Sequence, residues 1–83
     1  MKIRYFAWLR EKIGVGEEDL TIPGDVRTVQ DLIDWLKLQT PRHDAAFENV
    51  RLIRFAIDQE FATADTPIAA AREIAFFPPV TGG

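Results

Sequence analysis

Cysteine and serine are both absent from the 83 residues, and His43 is the only histidine. Without a thiol there is no disulfide, no thiolate zinc or iron–sulfur site and no cysteine nucleophile. Without serine there is no serine triad, and one imidazole does not make a multi-histidine metal centre. Positive charge is short as well: ten Lys and Arg stand against thirteen Asp and Glu, a net charge of −3. That balance gives no electrostatic footprint for nucleic acid. Long hydrophobic runs are missing too. Lys2, Arg4 and Arg10 interrupt the N-terminal stretch, so it lacks the apolar segment of a secretory signal. Ile74 to Val80 is too short to span a bilayer and contains Pro78 and Pro79. The chain is therefore read as cytoplasmic, with no membrane, nucleic acid or metal to bind.

What is present is the composition of an ordinary globular chain, 47% hydrophobic and 28% charged. A chain this long makes one small domain with about 4–12 kcal/mol of net stability, so sheet and helix must share one core. Lys2 to Trp8 alternates as a strand, with Ile3, Tyr5 and Ala7 on one face and Arg4, Phe6 and Trp8 on the other. Leu9 to Ile13 reads as a short helical turn stopped by Gly14 and Gly16. A second strand is predicted over Glu18 to Ile22, burying Leu20 and Ile22, before the turn Pro23-Gly24-Asp25.

The clearest element is a helix over Val29 to Gln39. Thr28 suits the N-cap, Asp31 suits the first turn, and Val29, Leu32, Ile33 and Leu36 form one apolar stripe. Pro41 is expected to end it. Arg42 to Asn49 reads as a loop with a helical turn anchored by Phe47. Leu52 to Ile57 follows as a strand with Ile53, Phe55 and Ile57 inward. Asp58-Gln59 turns into a short return strand around Phe61. Asp65-Thr66-Pro67 makes another turn, and the last strand runs from Arg72 to Phe77, where Pro78-Pro79 stops the ladder. The order predicts an α+β fold, a mixed four- to five-stranded sheet packed on one main helix. Residues 1–79 form the domain and 80–83 a flexible tail.

Most candidate sites dissolve on inspection. Gly14-Val15-Gly16 lacks the third glycine and the Lys-Ser/Thr of a phosphate loop, so it is a turn. His43, between Arg42 and Asp44, reads as a solvated loop residue. Glu17-Glu18-Asp19 lacks the spacing of a calcium loop and reads as a solvated strand edge that discourages pairing. The aromatics say more. Phe6, Phe61 and Phe77 fall opposite the core and would make an exposed apolar patch, whereas Tyr5, Phe55 and Phe76 fall on the core side. Trp8 shares the outer parity but is read as covered by loops.

The chain closes on Val80-Thr81-Gly82-Gly83. Glycine offers no side chain to pack, so these residues contribute little to folding. Gly82 and Gly83 suit a channel too narrow for a β-carbon, through which the α-carboxylate of Gly83 would reach another enzyme's active site. Four extended residues reach roughly 13–14 Å beyond the prolines.

Ala75-Phe76-Phe77-Pro78-Pro79-Val80-Thr81-Gly82-Gly83, with Phe6-Ala7-Trp8-Leu9-Arg10-Glu11, Thr28-Val29 and Asp65-Thr66-Pro67-Ile68, resembles the small subunits of molybdopterin synthase, the MoaD family. The resemblance implies a ubiquitin-like β-grasp sulfur carrier. It implies that Gly83 is adenylated by an E1-like partner using MgATP and converted to a thiocarboxylate by a sulfur donor system. The sulfur then passes to a cyclic pterin phosphate precursor in the large synthase subunit. No cofactor would be bound by the chain itself. Val80, Thr81 and Gly82 would thread the partner, and Phe6, Phe61, Phe77, Pro78, Pro79 and Arg10 would meet it. A carrier of the same fold for thiamine or another thiolation pathway, or a β-grasp binding module, is the competing reading. One departure is local: the family's Asp-Gly-Asp turn before the final strand is Ala69-Ala70-Ala71-Arg72 here.

Overall fold

The computed structural model describes residues 1–79, so Val80, Thr81, Gly82 and Gly83 lie outside the described residues. The chain forms β1 (Lys2–Tyr5), α1 (Trp8–Ile13), β2 (Glu17–Asp19), α2 (Val29–Lys37) and α3 (Pro41–Ala46). A 3-10 turn at Val50–Leu52 leads into β3 (Arg54–Ile57), β4 (Glu60–Ala62) and β5 (Glu73–Phe77). The five strands make one sheet in the order β2-β1-β5-β3-β4. Its central pair, β1 and β5, is parallel and its other pairs are antiparallel, so the sheet is mixed as expected.

α2 forms where the sequence places it. The Thr28 hydroxyl accepts from the Asp31 amide while the Asp31 carboxylate accepts from the Thr28 amide, a capping box that satisfies the first turn. Val29, Leu32, Ile33 and Leu36 are buried against Ile3, Tyr5, Ile74 and Phe76 on the inner face of the sheet. Phe76 sits at the centre of this core. Its ring stacks on Tyr5 at 6.3 Å and meets Phe47 at 5.0 Å and Phe55 at 6.1 Å edge to face.

Several boundaries differ from the expected ones, each for a local reason. β1 stops at Tyr5 because Ala7 reverses the chain with φ 54°, ψ −131°, and Trp8 opens α1 instead of extending the strand. α1 ends on Gly14 at φ 98°, a left-handed cap that favours glycine. β2 covers Glu17–Asp19 only: its partner β1 begins at Lys2, paired with Asp19, and beyond it Leu20 meets only Met1, donating to its carbonyl and accepting from its terminal ammonium. Leu20 and Ile22 pack half-buried on the core without a ladder. α2 closes at Lys37, and Pro41 does not end it but starts α3, at the first-turn position where a missing N–H costs nothing. The helical turn expected within the segment after Pro41 is thus a helix at its start, capped by the Thr40 hydroxyl and followed by the buried Phe47. Leu52 belongs to the 3-10 turn and is exposed, not part of β3.

The Asp58-Gln59 turn has positive φ at both residues, 47° and 72°, which a tight two-residue hairpin demands. Asp58 Oδ1 also accepts from the Arg72 and Glu73 amides, tying the hairpin to the start of β5. The turn at Ala69-Ala70 closes with Ala71 N–H donating to the Ile68 carbonyl at 3.0 Å. None of these alanines has positive φ, so this turn has no need of glycine.

Candidate functional site

Strand register puts Arg4, Ala75, Ala56 and Phe61 in one row across β1, β5, β3 and β4. Residues paired across a ladder share a face, and this row lies opposite the inward row of buried Tyr5 and Phe76 and half-buried Phe55. Phe77, paired with Arg54, belongs to the same outer face. The rings of Phe61 and Phe77 are 6.1 Å apart, with Phe61 85% exposed and Phe77 half-buried. Small Ala56 and Ala75 leave the middle of the face shallow.

Phe6 extends past the end of β1, its amide donating to the Phe76 carbonyl at 3.1 Å. Its exposed ring lies under the Arg4 guanidinium, 5.2 Å from the centroid. The three expected phenylalanines therefore share the outer side, with Phe61 on Phe77 and Phe6 on Arg4. Arg10 projects from α1 across Gly16, its Nε 3.3 Å from where a β-carbon there would sit. Phe6, Ala7, Arg10 and Gly16 line one shallow groove. Pro78 and Pro79 follow Phe77, half-buried, at the same end of the sheet. Trp8 is half-buried against the core on α1, with Lys12 Nζ 5.6 Å from its ring centroid.

His43 corrects the sequence reading: it is buried, not solvated. Its Nε2 lies 2.7 Å from Glu18 Oε2, and its Nδ1 lies 2.7 Å from the Thr40 hydroxyl. The Tyr5 hydroxyl donates to the same Glu18 oxygen at 2.7 Å. Glu18 is therefore no part of a solvated edge, although Glu17 and Asp19 on either side are exposed. Because Glu18 pairs with Ile3, it shares the inner face and reaches beneath α3. Burial pushes the Glu18 carboxyl up, but the hydrogen bonds from Tyr5 and His43 and the imidazole's charge outweigh it, and the net shift is below the ordinary range. Burial, then the bond to Glu18 and its charge, push the Tyr5 hydroxyl well above the usual phenol range. These groups are used up on one another, so they fasten α3 to the sheet and offer no free acid or base. Among the described residues no group of three His, Asp or Glu side chains comes together to hold a metal ion. No helix there is long and apolar enough to cross a membrane.

A mixed five-stranded sheet wrapped on one main helix, with an aromatic outer face beside the end of its central strand, defines a ubiquitin-like β-grasp protein. The chain belongs to the ThiS family, which it matches over residues 3–83. It is similar to the molybdopterin synthase sulfur carrier subunit of Escherichia coli, 35% identical over 83 residues, covering 100% of this chain and 99% of that protein. The subunit of the same name from Haemophilus influenzae is 32% identical with the same coverage. Among solved structures, the putative molybdopterin converting factor, subunit 1, from Pyrococcus furiosus superposes with TM-score 0.74 at 27% identity over 95% of each chain. Small archaeal modifier protein 1 of Haloferax volcanii does so at 0.72 and 31%, over 96% of this chain and 97% of that one.

Proposed function

We propose that this chain is the sulfur carrier subunit of a molybdopterin synthase, with the carboxylate of Gly83 as its one reactive group. The observation that carries the reading is the end-to-end likeness to a sulfur carrier subunit at 35% identity, in a chain with no serine or cysteine nucleophile of its own. A carboxylate is a poor electrophile until it gains a leaving group. An E1-like partner supplies one by joining the Gly83 oxygen to the α-phosphorus of MgATP, releasing pyrophosphate. Sulfide sulfur from a donor system then displaces AMP and leaves a thiocarboxylate. In the large synthase subunit the sulfur passes to a cyclic pterin phosphate precursor, and water restores the carboxylate. Two rounds build a dithiolene.

In this reading Phe6, Phe61, Phe77 and Arg10 dock the domain. Pro78 and Pro79 stiffen the root of the tail, and Val80, Thr81 and Gly82 thread the partner, with Gly82 free of a β-carbon where the passage is narrowest. Incubation with the adenylating enzyme, MgATP and sulfide should give the mass increase of one oxygen-for-sulfur exchange. Deleting Gly83, or adding a residue after it, should abolish that exchange and leave thermal unfolding unchanged. Full sulfur transfer by an untrimmed, extended chain overturns the reading. The likeness to small archaeal modifier protein 1 favours a second reading, a modifier joined through Gly83 to other proteins. Conjugates in place of a thiocarboxylate, in the same mass spectra, would support it.

A further inference from the structure

Ala7 occupies the second position of a four-residue turn, closed by the Leu9 amide donating to the Phe6 carbonyl at 3.2 Å. Its φ of 54° and ψ of −131° match the first central position of a II′ turn, near about (60°, −120°). That is a glycine position: the β-carbon of an L-residue is crowded by the backbone there. Strain of this kind persists where surroundings or function hold it. The fold holds the backbone there, through the Phe6, Leu9 and Glu11 amide bonds and the buried Tyr5 and Leu9, but it leaves Ala7 itself exposed and so does not account for the side chain. Asp58, also at positive φ, differs: its side chain there accepts two backbone amides.

Ala7 lines the groove that it shares with Phe6 and Arg10. The Phe6 amide is bonded to Phe76, so this groove adjoins the point where β5 runs out into Pro78 and Pro79. A partner that takes up the last four residues must cover the ground around that point. We infer that the Ala7 methyl group is a docking contact for the large synthase subunit, and that the turn keeps a strained alanine because the methyl is used in that complex and not in the fold. The inference rests on the sulfur-carrier reading.

The test compares wild type, Ala7→Gly and Ala7→Ser, each as the full chain, in thermal melts and in calorimetric titrations against the large subunit. Ala7→Gly should melt about 3–5 °C higher, as strain is released, yet bind about fourfold more weakly, the worth of one buried methyl group. Ala7→Ser keeps the β-carbon and should bind within about twofold of wild type. A glycine variant that binds as tightly as wild type overturns the inference alone, as does one that melts lower. If wild type does not bind the large subunit, both this inference and the carrier reading fall.

Discussion

On the inner face of the sheet, the Phe76 ring is enclosed by Tyr5, Phe47 and Phe55 with no surface left to water. One residue further on, Phe77 points to the opposite face, meets the ring of Phe61 and remains half in solvent. The two side chains are chemically identical and adjacent. Strand alternation alone separates them, giving one to the fold and leaving the other available to a partner. The same division runs across β1, where Tyr5 is buried and Phe6 is exposed. An aromatic strand end in such a small domain thus fills the core at one position and leaves a ring at the surface at the next.

The sharpest way to break that comparison is to truncate each ring in turn. Phe76→Ala should lower stability by about 3–5 kcal/mol, a large share of what a domain of this size holds, with a collapse of the melting temperature. Phe77→Ala should leave the melt nearly unchanged. Its effect should appear in calorimetry as a loss of about 2 kcal/mol in binding the large subunit, roughly thirtyfold in affinity. Equal effects of the two variants on stability would show that the faces are not divided in this way.

The division was legible in the sequence because period-2 alternation is a short-range signal, and Ile3, Tyr5, Ile74 and Phe76 obey it. α2 was legible for a similar reason: Thr28 and Asp31 mark its start, and four apolar residues mark its buried stripe. The buried His43 was not. Its neighbours Pro41, Arg42 and Asp44 are polar or exposed, and what covers it comes from Tyr5 and from Glu18, 25 residues away. One signal did exist, since Glu18 has the same strand parity as Leu20 and Ile22, both read as inward. The Ala7 reversal carried no signal, because a turn that favours glycine is built here with alanine between two aromatics.

A smaller effect should come from the polar contact between the inner face and α3. Glu18→Gln leaves the carboxylate's two short bonds poorly matched and should lose about 1–3 kcal/mol at neutral pH. The pH dependence has a definite sign. Glu18 holds its proton less tightly in the folded chain than in the unfolded one, so the unfolded state binds more protons in the window between the two values. Its contribution is fully present above about pH 4.3, the ordinary unfolded value, and is lost as pH falls through the lower folded value. Urea melts of wild type and Glu18→Gln should therefore differ near neutrality and converge in acid. A gap that widens below pH 4 would show that the carboxylate is not held in its charged form by Tyr5 and His43.

The smallest expected change is a gain, and it separates strain that serves docking from strain that does not. Gln59 has φ 72° and is exposed, at the tip of the β3–β4 hairpin. Its neighbour Asp58 uses the turn to accept the Arg72 and Glu73 amides, whereas Gln59 only closes the reversal. Gln59→Gly removes the steric penalty of a left-handed side chain but adds freedom to the unfolded chain, and the first effect is the larger at positive φ. The net should be a stabilisation of about 0.5–1 kcal/mol, read as a few degrees in the melt. Phe61 lies two residues further along and keeps its pairing to Ala56, so affinity for the large subunit should not change. Ala7→Gly and Gln59→Gly then form a matched pair: both should melt higher, and only the change beside Phe6 should weaken binding. If Gln59→Gly weakens binding as well, stiffness of the whole outer face, and not the methyl group of Ala7, sets the affinity.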